Sequence, residues 1–493
     1  MSIRLVLAVQ SILLWIFCAF LAIPATVAWL IYPYENRSDA FIITLAINLA
    51  IAGVFRLLGG SLRGREIGLR ESFVIVGLSW ILIAFVGALP FYISGAIPSL
   101  ADAYFESMSG FTTTGASILQ DIEGMGKSLL FWRSFTHFIG GGGIIVLTVA
   151  ILPALNVGGV TLFEREASTP FGQKMIPKIK QIARQIWVIY LGLNVLAILM
   201  LHLGGMNWFE SITHAIGAIA TGGFSPLNKS IGHYAATGHP SAFYFEMVLV
   251  MFMLLGSMSF VLIFSLMRGQ LRVAANDAQL RFYLGVIVIS ILVVTLNLTI
   301  QENHGNYLKS LRSAVFSVVS VASTTGYGTD DFAIWPLLSK FILVFLMFMG
   351  GCTGSTAAGM KAFRVSTALK EFLTEIYLTV HPRQVKAIHF GGHYLSLSNV
   401  RAINTFLLTY VFCYAIGVSL LAWLEPDFET VASSVVACIS TIGPGSSAIN
   451  GPAGNYSSFH PASKIILSFL MLLGRLEIFP VLVLFLPSTW SKN

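Results

Sequence analysis

The chain has 493 residues, of which 56% are hydrophobic and only 10% are charged, and its mean hydropathy is +0.81. This composition excludes an ordinary soluble globular protein and predicts an integral membrane protein. The net charge of +7 and the pI of about 9.2 require no nucleic-acid partner. An excess of Lys and Arg on the inner side of a membrane, next to anionic lipid, accounts for both.

Ten apolar stretches along the chain are close to the length of about 20 residues that crosses a bilayer. The first follows Arg4, as in cleaved signal peptides, but it is too long for a signal peptide and contains Pro24. We therefore favour a retained span. The predicted spans are residues 5–31, 41–58, 72–94, 129–152, 184–204, 242–267, 281–300, 336–360, 399–424 and 462–487.

Basic residues are concentrated in alternate connections between these spans, namely 56–70, 165–184, 268–281 and 361–401, and acids in the others. The positive-inside rule then predicts that both the N- and C-termini of this multi-pass chain lie in the cytoplasm. The acidic outer surface is expected to concentrate cations.

One stretch, Thr324-Thr325-Gly326-Tyr327-Gly328, differs by one residue from the T-V-G-Y-G loop whose carbonyl oxygens replace the water shell of K⁺ in potassium channels. Related loops recur roughly every 110 residues. They predict a four-walled K⁺ filter with no other metal. The remaining predicted filter residues are Thr113, Thr114, Gly115, Ala220, Thr221, Gly222, Thr441, Ile442 and Gly443.

The last eight spans pair into four pseudo-symmetric helix–pore loop–helix repeats around one central pore, and the first two spans form an added N-terminal hairpin. The chain is thus predicted to be an all-α polytopic membrane protein. A Gly-rich bundle without a pore is the alternative. The predicted units are the hairpin 1–70, repeat one 71–165, repeat two 166–270, repeat three with a gating loop 271–390, and repeat four 391–493.

Each pore segment begins with a short apolar stretch that is too short to cross the membrane. The C-terminal ends of such helices carry partial negative charge toward the filter. Acidic residues favour the N-terminal ends of helices. Copies one, two and four have acids there, whereas copy three has basic residues. The acids are Asp102, Glu106, Glu210, Asp427 and Glu429, against Lys309 and Arg312 in the third copy.

Span eight carries a glycine-rich run that is a poor helix interior, since each Gly costs about 1 kcal/mol relative to Ala. A helix break below the filter predicts a gate, and close helix packing on small residues is the alternative. The run nearly matches a phosphate-binding loop, but Met360 occupies the lysine position. The predicted gate residues are Gly350, Gly351, Gly354, Ser355, Thr356, Gly359 and Lys361.

Arg475 is a charge within the last span, where burial is expensive unless it faces water or a partner. We favour a barrier in the pore, with an ion pair to Glu477 or snorkelling to the inner surface as alternatives.

At these motifs the chain resembles, over its whole length, the Trk/Ktr/HKT superfamily of potassium transporters, and within it the bacterial TrkH/TrkG branch. The motifs are Gly110-Phe111-Thr112-Thr113-Thr114-Gly115-Ala116-Ser117, Ala220-Thr221-Gly222-Gly223-Phe224-Ser225, the two later loops, Gly350-Gly351-Cys352-Thr353-Gly354-Ser355-Thr356 and Gly474-Arg475-Leu476-Glu477.

The resemblance implies a K⁺ filter at the four loops, an intramembrane gating loop, and an arginine in the pore. It also implies a homodimer and a separate cytosolic regulatory ring of the TrkA type. A nucleotide, NAD(H) or ATP/ADP, is then expected only on that partner, with no covalent cofactor here. The first filter glycine, Gly115, favours K⁺ over Na⁺ by analogy.

The leading hypothesis is therefore K⁺ uptake across the bacterial cytoplasmic membrane, with Na⁺- or H⁺-coupled symport as an alternative. An intramembrane enzyme is disfavoured because His137, Glu246 and the Arg475/Glu477 pair form no catalytic set. Other metal and disulfide sites are not expected from His381, His389 and His393 or from Cys18, Cys352, Cys413 and Cys438.

Overall fold

The computed structural model describes residues 2–35, 37–60, 68–150, 175–301, 306–384, 387–391 and 393–490. This part of the chain is mainly helical, as predicted, and its strands are one short hairpin of β1 (His389–Phe390) and β2 (His393–Tyr394). Six of the described helices are long and apolar enough to cross a membrane, or seven when one bent pair is counted as a span.

Two N-terminal helices, α1 (Ile3–Leu30) and α2 (Ser38–Gly59), are joined through a short 3₁₀ turn, Pro33–Glu35. They pack against each other and against the next helix. Buried polar side chains bond to neighbouring backbones here, since an unpaired polar group in an apolar surrounding is costly. Asn48 Nδ2 donates to the Leu14 carbonyl oxygen at 2.9 Å, for example.

Four units follow, each with a pore helix between two longer segments. Repeat one contains α3 (Leu69–Ile93), pore helix α4 (Leu100–Phe111) and α5 (Lys127–Ala150). Repeat two contains α6 (Met175–Leu203), pore helix α7 (Trp208–Ile219), α8 (Gly232–Ala236), α9 (Ala242–Ser257), α10 (Phe260–Met267) and α11 (Leu271–Asn276).

Repeat three contains α12 (Ala278–Ile300), pore helix α13 (Tyr307–Ala322), the 3₁₀ turn Phe332–Ile334, α14 (Leu337–Met349) and α15 (Ala362–Val380). Repeat four contains α16 (Leu397–Leu421), pore helix α17 (Phe428–Ile439), α18 (Pro461–Arg475), α19 (Phe479–Leu482), the 3₁₀ turn Val483–Phe485 and α20 (Pro487–Trp490). The predicted boundary at 165/166 lies outside the described residues, and that at 390/391 falls at the turn of the β-hairpin.

Two spans predicted to be continuous are broken, which corrects the sequence-based assignment, and a third, 336–360, is interrupted at its glycine run as expected. The span 242–267 bends by 111° between α9 and α10. The span 336–360 ends its helix at Met349, and the span 462–487 ends its helix at Arg475. Average hydropathy does not detect these breaks, because the residues on both sides are equally apolar.

The break between α9 and α10 is filled by the glycine-rich segment of repeat three. Cys352 N–H donates to the Ser257 carbonyl oxygen at 2.9 Å, and Phe260 N–H donates to the Gly354 carbonyl oxygen at 3.0 Å. Main-chain groups freed by the two breaks therefore satisfy each other, which a membrane interior requires.

Polar residues cap all four pore helices at their N-terminal ends. Each cap side chain accepts a hydrogen bond from the first turn, as in soluble helices. The caps are Ser99, Asn207, Asn306 and Asp427. Glu106, which the sequence suggested as a helix-start acid, instead lies in the second turn of α4 and is buried.

Candidate cation filter and gate

Each pore helix is followed by a threonine with left-handed backbone. A β-branched residue in this region is strained, and such strain is found mainly at functional sites. The φ angles are 51° at Thr113, 52° at Thr221, 58° at Thr324 and 50° at Thr441. Two residues later comes a glycine with positive φ: Gly115 (82°), Gly223 (78°), Gly326 (80°) or Gly443 (96°). The four loops share one backbone conformation.

Main-chain hydrogen bonds give the same alignment. In every loop the residue between the threonine and the glycine donates its N–H to a carbonyl oxygen of the pore helix. The pairs are Thr114 to Ser109 (2.8 Å), Gly222 to Gly217 (2.8 Å), Thr325 to Ser320 (2.9 Å) and Ile442 to Ala437 (2.8 Å).

This alignment corrects the second predicted loop by one residue. In this alignment Gly223 of loop two corresponds to Gly115 of loop one, Gly222 corresponds to Thr114, and Ala220 is the C-terminal cap residue of α7. Either of two consecutive glycines satisfies the sequence pattern, because both tolerate positive φ. Only the backbone angles distinguish them.

The four positive-φ glycines of the predicted filter each lie against the neighbouring loop, so that the loops form a closed ring. At each of them an added Cβ would strike the carbonyl oxygen preceding the glycine of the next loop. That oxygen belongs to Gly222 for Gly115, to Thr325 for Gly223, to Ile442 for Gly326, and to Thr114 for Gly443. The loops therefore surround a common axis in the order one, two, three, four.

The same four glycines border one cavity, whose lining contains none of the predicted gate residues. Its walls come from the segments that leave the loops, including Ser117, Asn228 and Tyr456. Asp121 lies between two residues of the cavity lining, Gln120 and Ile122, and hydrogen bonds from Asn228 and from the Gly124 N–H lower the pKa of its carboxylate.

The threonine hydroxyls differ in their hydrogen bonding. The Oγ1 atoms of Thr113 and Thr441 are buried and have no hydrogen-bond partner within the described residues. Thr221 Oγ1 donates to the Ala220 carbonyl oxygen at 2.7 Å, and Thr324 Oγ1 accepts from the Ala358 N–H at 3.1 Å. Hydroxyl and carbonyl oxygens without carboxylates form a donor set suited to a monovalent ion.

Two tyrosines support the outer part of the filter from behind. Tyr327 Oη donates to the His214 carbonyl oxygen at 2.9 Å, so the aromatic residue of loop three braces repeat two. Tyr456 Oη donates to the Gly443 carbonyl oxygen at 2.8 Å. The sequence pattern contained Tyr327 but gave no signal for Tyr456, which lies outside the loop motif.

Ion pairs link pore helices to the second long helix of the repeat that precedes them in the ring, so that repeat four precedes repeat one. Lys464 Nζ lies 2.7 Å from Asp102, and Lys340 Nζ lies 2.7 Å from Glu429. Between repeats two and three the signs are reversed.

Between repeats two and three, Arg312 of pore helix α13 donates two hydrogen bonds, of 2.6 and 2.8 Å, to the carboxylate of Glu246 in α9. This reversal accounts for the basic residue that broke the pattern of acids in the third copy.

The predicted gate residues form a non-helical loop, 350–361, directly below the filter. Positive φ angles occur at Gly350, Gly354, Gly359 and Lys361. Lys361 is buried, and its Nζ donates to the Ala357 carbonyl oxygen.

Thr356 Oγ1 lies 2.9 Å from both the Ile219 and the Gly256 carbonyl oxygens. The Ala358 N–H of the same loop donates to Thr324 Oγ1. The loop is therefore bonded to the inner end of the filter.

Arg475 is 2% exposed and bridges two other repeats. Its Nη1 donates to the Thr356 carbonyl oxygen at 2.6 Å, and its Nη2 donates to the Gly140 carbonyl oxygen at 3.0 Å. Glu477 instead pairs with Arg364 at 2.5 Å. The alternative of an Arg475–Glu477 ion pair is therefore wrong, and Arg475 instead links loop 350–361 to repeat one.

No cluster of three or more His, Cys, Asp or Glu side chains able to hold a metal occurs within the described ranges. His389 and His393 lie on the two strands of the β-hairpin. The four cysteines are free thiols.

Comparison with known proteins decides the family. The TrkH family model, described as a cation transport protein, matches residues 37–492. The chain belongs to the TrkH family. It is 37% identical over 497 residues to the Trk system potassium uptake protein TrkH of Escherichia coli K12, covering 100% of both chains.

TrkG of the same strain is 31% identical over 501 residues, covering 99% of both chains. The crystal structure of the potassium transporter TrkH from Vibrio parahaemolyticus aligns with a TM-score of 0.89 at 32% identity over 100% of both chains. These relatives are named as transporters, which agrees with a non-enzymatic role for this family member.

Proposed function

We propose that this protein carries K⁺ into a bacterial cell across the cytoplasmic membrane, through a filter formed by its four loops. The observation that carries the proposal is the closed ring of filter glycines beneath one outer cavity. Successive carbonyl oxygens, with the threonine hydroxyls below them, can replace the hydration shell of a K⁺ ion. The names of the relatives support K⁺ as the ion.

The gating loop and Arg475 hold the pathway closed in this proposal. The loop is bonded to the inner end of the filter through Thr324, and Arg475 joins it to repeat one. Because repeats one and three are opposite in the ring, this link crosses the route below the filter. A fixed guanidinium charge there also repels cations.

Opening then requires displacement of the loop by a partner. We assign that role to a separate cytosolic TrkA-type ring that binds the nucleotide, and we place two copies of this chain in a homodimer with cytoplasmic termini. Family membership supports these assignments.

The test is rescue of a K⁺-uptake-deficient bacterium at low K⁺ by the unmodified chain and by Gly326→Ser. Gly326 has φ of 80°, and any Cβ there strikes the Ile442 carbonyl oxygen. Gly285→Ser is the matched control, because Gly285 has open space around it. Rescue by the unmodified chain and the control but not by Gly326→Ser is expected. Equal rescue by all three would reject the filter.

Channel-like uptake and Na⁺- or H⁺-coupled symport differ in one measurement. Uptake without coupling reverses at the K⁺ equilibrium potential, whereas symport reverses at a potential that shifts with the Na⁺ or H⁺ gradient. The uncoupled outcome is expected here, and a reversal that follows either gradient would support the symporter.

A further inference from the structure

A buried ion pair lies behind the outer half of the filter in repeat one. Arg133 Nε of α5 is 2.6 Å from Glu106 Oε1 of pore helix α4, and the side chains are 3% and 0% exposed. Arg133 also borders the outer cavity. Replacing a buried ion pair by neutral groups often leaves stability unchanged, so stability alone does not explain its presence.

The Glu106 carboxylate holds the segment that leaves loop one. Its Oε2 accepts from the Ile118 N–H at 2.9 Å, and its Oε1 accepts from Ser117 Oγ at 2.9 Å. These two residues follow Gly115 almost directly. A carboxylate that accepts several hydrogen bonds is fixed in orientation, and here it fixes the exit of the first filter loop.

The Arg133 guanidinium holds the corresponding segment of loop two. Its Nη1 donates to the Ser225 carbonyl oxygen at 2.9 Å, and its centre lies 3.5 Å from the centroid of the Phe224 ring. His137, one helical turn further along α5, stacks on the same ring with a centroid distance of 4.2 Å. Phe224 follows the filter glycine Gly223 directly.

The other loops use neutral groups for the same purpose. Ser320 Oγ donates to the Tyr327 carbonyl oxygen at 2.7 Å in loop three, and Tyr456 bonds to Gly443 in loop four. Only loops one and two are joined by a charged pair among the described contacts behind the filter. Their spacing is thus set by one planar guanidinium, which donates through Nε to Glu106 and through Nη1 to the Ser225 carbonyl oxygen in fixed directions.

We propose that Arg133, anchored by Glu106, is a positioning residue that determines ion specificity by fixing loop two against loop one. It acts through Phe224 and Ser225 and does not touch the ion. The proposal deepens the proposed function and rests on it.

The test measures K⁺ and Na⁺ uptake by purified protein in liposomes, at matched protein amounts, for two variants. Glu106→Gln/Arg133→Gln removes both charges and leaves no unpaired one. Arg133→Lys keeps the charge opposite Glu106 but loses the planar fork. The matched control is Glu246→Gln/Arg312→Gln, which removes an ion pair between helices that does not contact a filter loop.

Both Arg133 variants are expected to lower the K⁺/Na⁺ uptake ratio by about tenfold and to raise the KM for K⁺ more than they lower the maximal rate. The control is expected to keep the ratio of the unmodified chain. An unchanged ratio in Arg133→Lys, or an equal fall in the control, would overturn the positioning role. Absence of K⁺-selective uptake by the unmodified chain would instead reject the proposed function itself.

Discussion

The guanidinium of Arg475 donates a 2.6 Å hydrogen bond to the carbonyl oxygen of Thr356, and this contact ties the last span to the gating loop. Its second bond goes to the Gly140 carbonyl oxygen of α5 in repeat one. One buried side chain therefore joins three repeats below the filter.

Arg475→Ala is expected to raise K⁺ flux through the isolated protein at least about tenfold. The change removes two hydrogen bonds from a charged donor, each contributing about 1.5–3 kcal/mol, and removes the fixed positive charge. Flux is measured in liposomes without a cytosolic partner. Arg475→Lys, which retains charge but cannot span both carbonyls, should give an intermediate flux. Unchanged or lower flux for the alanine variant at equal protein density would contradict the gate.

Thr356→Val tests the gating loop without altering charge. Valine has nearly the same shape, but the variant loses the hydroxyl that contacts the Ile219 and Gly256 carbonyl oxygens. The closed loop should be weakened by about 1–3 kcal/mol. Basal flux should therefore increase while the K⁺/Na⁺ ratio stays constant. A change in the ratio with no change in flux would place Thr356 in the filter rather than in the gate.

The register of loop two is tested by comparing two neighbouring glycines. Gly222 lacks a positive φ, and a Cβ there would meet the ring of His137. Gly222→Ala should impair uptake, and the double variant Gly222→Ala/His137→Ala should recover part of it. Gly223→Ala should not be recovered by His137→Ala, because its Cβ strikes main chain at positive φ. Recovery of Gly223→Ala instead would restore the alignment first predicted from the sequence.

Charge exchange tests the reversed ion pair between repeats two and three. Arg312→Glu places a second carboxylate against the buried Glu246 and should destabilise the protein by about 3 kcal/mol, or less because the arginine side chain is 36% exposed. Adding Glu246→Lys gives the polarity of the Lys340–Glu429 pair and should recover most of the loss. The Tm in detergent is the measurement. If the double variant is no more stable than Arg312→Glu alone, the positive and negative charges of this ion pair cannot be exchanged between the two helices.

The sequence by itself determined the membrane class, the N-terminal hairpin, the four repeats and the positions of the threonine–glycine loops to within one residue. These features depend on local properties: apolar length, charge bias between spans, and residues that tolerate left-handed backbone. The interruption of span eight was also predictable, because a run of glycines is unfavourable in a helix wherever it occurs.

Tertiary structure alone decided which of the two glycines of loop two has the positive φ shared by the other loops, where the spans 242–267 and 462–487 break, and what Arg475, Arg312 and Glu106 bind. Each of these depends on contacts between residues far apart in the chain, such as the 335 positions that separate Arg475 from Gly140. A buried charge requires a partner, but the sequence does not specify which one, because only packing brings the partner within hydrogen-bond distance.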